Sequence, residues 1–100
     1  MSMKKCIALL LILSSFAMAP FKKNRVVFFG DSITQMGVNK GGYIDRIQNY
    51  LQEKNLQGNY QLIGAGIGGN KVYDLYLRME EDVMDKHPNT VVIYVGINDV

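Results

Sequence analysis

Three short apolar runs, rich in β-branched and aromatic residues, punctuate this chain at 25–29, 60–63 and 90–95. A glycine follows each run directly, which is typical of strands that are buried on both faces of a parallel sheet and end in a tight turn. The runs are too short to be told from buried helices by hydrophobicity alone, but their β-branched content and their glycine boundaries favour strands. The pattern therefore predicts three strands.

Between the strands, apolar residues recur every three or four positions, as they do on one face of an amphipathic helix. The first such segment begins after Gly42 and is predicted to end near Gly58. The second follows Asn70, a residue suited to cap a helix, and is stopped by Pro88. The resulting βαβαβ order implies parallel strands joined by right-handed helical crossovers, hence a three-layer α/β architecture.

The first nineteen residues have the pattern of a secretory signal peptide. A basic pair at 4–5 precedes an apolar run at 6–13 that is too short to span a membrane, and a small-x-small site follows at 17–19. Cleavage at that site leaves Pro20 at the new N-terminus, so cleavage after Ala17 is the alternative. We expect an exported protein, periplasmic or secreted, with no stable membrane anchor after cleavage.

The remaining segment, 20–100, is predicted to be one domain-sized unit with a neutral surface. It contains nine Lys or Arg and nine Asp or Glu, and the formal net charge of +2 comes from Lys4 and Lys5. A neutral body gives no electrostatic reason to expect a nucleic-acid partner. The single cysteine, Cys6, leaves with the signal peptide, which excludes a disulfide framework and a cysteine-ligated metal site from the body. Oligomeric state is not indicated by any pattern.

Polar and glycine residues follow all three strands, at 30–34, 64–70 and 96–99. Carboxyl ends of parallel strands meet at one edge of a sheet, where ligands of open α/β folds bind. Ser32, in the turn after the first strand, suits a nucleophile, and glycine N–H groups and the amide of Asn98 suit the stabilisation of an oxyanion. We therefore expect Ser32, Gly69 and Asn98 to converge.

These segments, Gly-Asp-Ser-Ile-Thr, Ile-Gly-Gly-Asn and Gly-Ile-Asn-Asp, resemble the first three conserved blocks of the SGNH, or GDSL-type, hydrolase and esterase family. The first block carries the catalytic serine onto Ser32. The glycine of the second block, whose N–H serves the oxyanion hole, maps onto Gly69, with Gly66 as the alternative. The asparagine of the third block maps onto Asn98.

The resemblance implies a three-layer, flavodoxin-like αβα sheet and a serine esterase that acts through an acyl-enzyme without metal or organic cofactor. It implies carboxylic ester substrates, with O-acetyl groups on carbohydrate as the favoured class. The family's general base is the histidine of a later Asp-x-x-His block, which this sequence lacks. We therefore expect the catalytic His and Asp beyond Val100, a chain truncated after its third strand, and little activity from these 100 residues alone.

The only histidine, His87, precedes the third strand. Six strand residues at roughly 3.3 Å each separate it by about 20 Å from the edge of Ser32, too far for proton transfer. Two alternatives follow. The chain is a non-catalytic stub or binding module that lacks a base, or it is a dinucleotide-binding unit, since Gly64, Gly66 and Gly69 satisfy G-x-G-x-x-G. The spacing to the next acidic residue at a strand end, Asp99, argues against the second.

Three residues at the turns also have plainer structural interpretations. Ser32 is suited to cap a helix, Asp31 to brace its turn through local hydrogen bonds, and Asp99 to act as a turn residue or a local brace.

Overall fold

The structure is a computed structural model that describes residues 22–100, and the predicted signal peptide at 1–19 lies outside the described residues. Strands and helices alternate in the predicted order, with an additional short helix after the first strand. No helix in this described part is long and apolar enough to cross a membrane. The elements are β1 Asn24–Gly30, α1 Ser32–Gly37, α2 Tyr43–Glu53, β2 Tyr60–Gly66, α3 Val72–Asp82 and β3 Thr90–Tyr94, with single 3₁₀ turns at Gln57–Asn59, Met84–Lys86 and Ile97–Asp99.

The three strands form one parallel sheet in the order β2-β1-β3. Val27 in the middle of β1 is paired with Ile63 on one side and with Val91 on the other. The predicted parallel βαβαβ architecture is therefore confirmed. Because both crossovers return beside β1, the first strand occupies the centre of the sheet, and the turn that follows it lies between the other two carboxyl ends.

The central strand is buried on both faces. Val27 and Phe29 point to one face, where they form a core cluster with Leu75 of α3. Phe28 points to the other face, where its ring meets that of Tyr43 in α2 edge-to-face, with centroids 5.8 Å apart. Helices thus cover both sides of the sheet, and the predicted three-layer arrangement is confirmed.

The prediction that α2 extends to near Gly58 is wrong, because the helix ends at Glu53. Asn55 adopts a left-handed conformation with φ 56°, and the N–H of Leu56 donates to the carbonyl of Leu51 at 2.8 Å. This bonding pattern is the Schellman helix end, in which asparagine replaces the usual glycine. The helix stops before the glycine because Asn55 accepts the backbone conformation that turns the chain.

The second strand is longer than predicted, since pairing continues beyond Ile63 to Gly66. Residues 64–66 read as a loop in the sequence, but Gly66 pairs with Gly30 at the end of β1. A Cβ on Gly66 would lie 2.2 Å from the backbone N of Gln35. Glycine is therefore required there because the backbone of α1 lies directly against the end of β2.

Among residues 22–100, the third strand has a neighbour on one side only, and its residues are exposed throughout. Ile93 and Tyr94 retain 64% and 53% of their accessible surface. Within the described residues, the sheet edge formed by β3 is thus apolar, and an apolar edge of this kind favours pairing with another strand.

Candidate active site

The turn after β1 presents Ser32 at the first position of α1. Its predecessor Asp31 is the helix cap: the carboxylate accepts a hydrogen bond of 3.0 Å from the N–H of Ile33 and is almost fully buried. The interpretation of Asp31 as a turn brace is confirmed, whereas Ser32 is not the cap. Within residues 22–100 the Ser32 hydroxyl has no hydrogen-bond partner and is not enclosed.

Gly30 allows this turn to lie against β3. A Cβ at that position would be 2.2 Å from the carbonyl oxygen of Tyr94 and 2.6 Å from the hydroxyl oxygen of Thr34. The hydroxyl of Thr34 is itself 2.6 Å from the hydroxyl of Tyr43. The close packing beneath the turn that carries Ser32 therefore requires glycine at position 30.

The glycine turn after β2 lies beside Ser32. The N–H of Gly68 donates to the side-chain oxygen of Gln35 at 2.7 Å, and a Cβ on Gly68 would be 3.8 Å from the Cβ of Ser32. Gly69 has φ 78°, a conformation that favours glycine. Its N–H has no hydrogen-bond partner in the described part of the chain. The turn therefore presents one unused backbone donor near the serine.

Asn98 follows β3 in a 3₁₀ turn and reaches the same glycine turn. Its side-chain nitrogen donates to the backbone carbonyl of Asn70 at 3.0 Å. A primary amide has two hydrogens, and this bond uses one of them. The structure thus places Ser32, Gly69 and Asn98 on three adjoining turns at the carboxyl edge of the sheet.

Asp99 has a structural partner that the sequence did not reveal. Its carboxylate accepts from the N–H of Val72 at 3.2 and 3.3 Å, at the N-terminus of α3. The prediction that Asn70 caps this helix is wrong, because the cap is Lys71. The N–H of Lys71 donates to the carboxylate of Asp74 at 2.8 Å. Asn70 is unavailable as a cap because its side chain bonds an arginine instead.

That arginine, Arg78 of α3, is the polar residue at this edge that sequence reasoning missed. Its guanidinium donates to Asn70, to the backbone at the ends of β1 and β2, and to Asp82, with which it forms an ion pair of 2.9 Å. Its signal in the sequence is a charge on the same helical face as the buried Leu75. A charge on an apolar face indicates a buried polar partner.

His87 lies at the opposite edge, immediately before β3 begins. It adopts a left-handed backbone conformation with φ 50°. A groove of about 450 Å³ there is lined by His87 and by Lys22, Lys23, Arg25, Gln61 and Asn89. The structure therefore separates the histidine from Ser32 by the length of the sheet.

The residues that the structure describes form neither a metal site nor a dinucleotide-binding loop. No three His, Cys, Asp or Glu residues within 22–100 are grouped closely enough to hold a metal ion. The glycines of the G-x-G-x-x-G pattern do not form a single loop, because Gly64 and Gly66 belong to β2. Gly66 faces the backbone of α1 instead of an open phosphate site.

Comparison with known proteins identifies a family whose model spans most of the chain. The model of the GDSL-like lipase/acylhydrolase family matches residues 28–100, which include all three turns of the candidate site. An acetylxylan esterase of Geobacillus stearothermophilus is 36% identical over 87 positions, which cover 76% of this chain and 40% of that enzyme. The uncharacterized lipoprotein YqeF of Bacillus subtilis (strain 168) is 38% identical over 78 positions, which cover 74% of this chain and 31% of that protein.

Comparison with solved structures also finds similarity to acetylxylan esterases. The crystal structure of an acetyl xylan esterase, AlAXEase, superposes with a TM-score of 0.74 and 63% sequence identity, and the match covers 76% of this chain and 38% of that one. Catalytic mutants of the Geobacillus stearothermophilus enzyme, altered at a serine, an aspartate and a histidine, match with TM-scores of 0.67 to 0.68. The chain spans about two-fifths of the length of these esterases.

Proposed function

The chain belongs to the GDSL-like lipase/acylhydrolase family, and from that membership we propose that the whole protein is a serine esterase that removes acetyl groups from carbohydrate. Ser32 is the nucleophile, and the oxyanion is stabilised by the N–H groups of Ser32 and Gly69 and by the side chain of Asn98. The observation that supports this assignment is the unpartnered Ser32 hydroxyl beside a turn whose Gly69 N–H is also unpartnered within residues 22–100.

The proposed reaction begins with attack of the Ser32 oxygen on the ester carbonyl carbon. The carbonyl oxygen acquires negative charge in the tetrahedral intermediate, and preorganised N–H donors stabilise that charge. Collapse of the intermediate expels the sugar hydroxyl and leaves an acetyl group on Ser32, which water then hydrolyses. Gly69 is favoured over Gly66 as a donor because Gly66 lies within β2 and is covered by α1.

A general base is needed to take the proton of Ser32, and His87 is at the wrong edge of the sheet. We propose that the base is a histidine outside these 100 residues, oriented by an aspartate. The catalytic mutants of the Geobacillus stearothermophilus enzyme support this proposal, since they alter a serine, an aspartate and a histidine, with the aspartate three positions before the histidine. The 100-residue chain alone is then expected to show little turnover.

The proposed substrate class, O-acetyl groups on carbohydrate, is supported by the names of two relatives, both acetylxylan esterases. The proposal of an exported protein rests on the signal pattern at 1–19, and the lipoprotein relative is in keeping with it. Cys6 is the first residue of the apolar run instead of following it, so we do not propose a lipid anchor at that cysteine. Sequencing the N-terminus of the secreted protein tests the cleavage after Ala19 or Ala17.

Hydrolysis of 4-nitrophenyl acetate and of acetylated xylo-oligosaccharides by the full-length protein tests the function. Ser32→Ala is expected to lower kcat by about 10⁴-fold or more, because the nucleophile is lost. His87→Ala, the control, is expected to leave kcat unchanged.

An acetyl adduct found by mass spectrometry on the peptide that contains Ser32 would support the acyl-enzyme. Full activity of Ser32→Ala would contradict the nucleophile assignment. A folded full-length protein that binds acetylated xylo-oligosaccharides without hydrolysing them would indicate the binding module instead.

A further inference from the structure

We propose that Arg78 is a positioning residue of the active site, whose guanidinium holds the three turns that carry Ser32, Gly69 and Asn98 in a common arrangement. This inference rests on the proposed esterase function. It adds a residue that lies outside the three segments that resemble the conserved blocks of the family. Arg78 lies in the middle of α3, away from the turns in sequence, and it is not hydrogen-bonded to Ser32, Gly69 or Asn98.

Two of its hydrogen bonds join the ends of the first two strands. Nη2 donates to the carbonyl of Gly30 at 2.8 Å, and Nη1 donates to the carbonyl of Ala65 at 3.0 Å. The carbonyl of Gly30 also accepts from the N–H of Ile67 at 3.1 Å. Gly30 is two residues before Ser32, and Ile67 is two residues before Gly69, so the arginine ties the base of the nucleophile turn to the base of the glycine turn.

A third hydrogen bond extends this connection to Asn98. Nε of Arg78 donates to the side-chain oxygen of Asn70 at 2.8 Å, and the backbone carbonyl of Asn70 accepts from the side chain of Asn98 at 3.0 Å. Asn70 is also the residue next to Gly69. Through this one asparagine, Arg78 sets both the end of the glycine turn and the orientation of the Asn98 amide.

The environment of Arg78 suits a rigid support. The side chain is only 14% exposed, and its guanidinium carbon lies 4.7 Å from the centroid of the Phe29 ring. Asp82 compensates the charge from a more exposed position. A guanidinium presents five donors in a fixed plane, whereas a lysine ammonium is a point charge on a flexible stem. Lysine therefore keeps the charge at this position but cannot span two strand ends and Asn70 together.

The chain offers a matched control in Arg25 at the amino edge. Nε of Arg25 donates to the carbonyl of Lys86 at 2.7 Å, and Nη1 donates to the side chain of Gln61 at 3.0 Å. Like Arg78, it joins β1 to segments near both neighbouring strands. Arg25 touches none of the turns that carry Ser32, Gly69 or Asn98, so a loss confined to Arg78 would not be a general effect of removing a strand-linking guanidinium.

The first test compares Arg78→Lys with Arg25→Lys in the full-length protein. Arg78→Lys is expected to lower kcat by about 10- to 100-fold, because misplaced oxyanion donors stabilise the transition state poorly. KM is expected to change less than about twofold, since ground-state binding uses other contacts. Arg25→Lys is expected to retain kcat within about twofold although it also lowers Tm. Equal kcat values for the two variants, measured well below both Tm values, would overturn the proposal.

A milder variant keeps the test decisive if Arg78→Lys does not fold. Asn70→Ala removes only the acceptor of the Arg78 Nε–H and keeps the backbone carbonyl that Asn98 uses. We expect a smaller loss in kcat, about 3- to 10-fold, with KM unchanged. Asp82→Asn leaves the three bonds to Gly30, Ala65 and Asn70 intact and is expected to retain kcat within about twofold. The reverse order of the two losses would overturn the proposal.

Side-chain amide signals in ¹⁵N NMR spectra provide a readout that does not depend on ester hydrolysis. Arg78→Lys is expected to shift the signals of Asn70 and Asn98, whereas Arg25→Lys leaves both in place. Unchanged signals in Arg78→Lys would overturn the positioning role. Shifted signals in a protein whose unmodified form hydrolyses no ester would support the placement of the two amides by Arg78 while overturning the proposed function.

Discussion

The two edges of the sheet are built with similar residues but present different chemistry. At the amino edge, Asn89 binds the backbone of Arg25 twice: the N–H of Arg25 donates to the Asn89 side chain at 2.7 Å, and the N–H of Asn89 donates to the Arg25 carbonyl at 2.8 Å. At the carboxyl edge, Arg78 and Asn98 are both bonded to Asn70. Each edge thus has an arginine and an asparagine that connect strands.

The two edges differ in which polar groups remain without a hydrogen-bond partner. At the amino edge, Asn89 binds both the backbone N–H and the backbone carbonyl of Arg25. The carboxyl edge keeps the hydroxyl of Ser32 and the N–H of Gly69 without partners within residues 22–100. Unused donors held in place by a bonded framework are what stabilisation of a developing charge requires. Strand cross-links occur at both edges, so what distinguishes the proposed site is the Ser32 hydroxyl and the Gly69 N–H beside them at the carboxyl edge.

The largest expected difference between the edges is in their contribution to kcat. Substituting Asn98 at the carboxyl edge and Asn89 at the amino edge tests it. Asn98→Ala is expected to lower kcat by about 10²- to 10³-fold, since it removes one of the proposed oxyanion donors. Asn89→Ala is expected to leave kcat unchanged and to lower the free energy of unfolding by about 1 kcal/mol, because it removes one hydrogen bond. Steady-state kinetics and urea denaturation of both variants check this. Comparable kcat values would remove Asn98 from the oxyanion hole.

The two edges also differ in how tightly the backbone is packed. Substituting one glycine at each edge by alanine measures this difference. Gly30→Ala places a methyl group 2.2 Å from the carbonyl oxygen of Tyr94, and we expect a loss of about 1 to 3 kcal/mol in the free energy of unfolding. Gly58 precedes β2, and a Cβ there meets nothing within 4 Å. Gly58→Ala is therefore expected to change stability by less than about 0.5 kcal/mol. Urea denaturation midpoints test the pair, and equal values would show that the carboxyl edge is not tightly packed.

The smallest expected effect concerns the backbone of His87. Its φ of 50° is strained for a residue with a Cβ, by roughly 1 to 2 kcal/mol, part of which glycine's greater unfolded-state freedom cancels. His87→Gly is expected to raise the free energy of unfolding by about 0.5 kcal/mol and to leave kcat unchanged. Thermal denaturation and kinetics measure both. A large fall in kcat would instead assign the histidine a catalytic role and erase the functional contrast between the edges.

Local patterns predicted most of the elements because the relevant interactions are short in range. The β-branched runs predicted β1, β2 and β3, and the helical spacing of apolar residues predicted α2 and α3. Element ends were less predictable. Asn55 stops α2 through a backbone conformation that asparagine adopts in only some contexts, and Gly66 remains in β2 because α1 lies against it.

Some residues of the candidate site could be identified from the sequence, and others only from the structure. Ser32, Gly69 and Asn98 were identifiable from the sequence because each follows a strand and has the chemistry that its place suggests. Arg78 was assigned no role and Asp99 none beyond a turn residue or a local brace, since their partners are distant in the chain. Arg78 bonds Gly30 across 48 positions, and Asp99 bonds Val72 across 27.

By itself, the sequence determined the order of strands and helices, their parallel arrangement and the identity of the three candidate site residues. These follow from the hydrophobic period, glycine boundaries and side-chain chemistry, all of which are local properties. Only the tertiary structure decided that Asp99 binds the start of α3 and that Arg78 joins the three turns. The physical reason is that a hydrogen bond between distant residues depends on where the whole chain places its donor and acceptor, which no local pattern specifies.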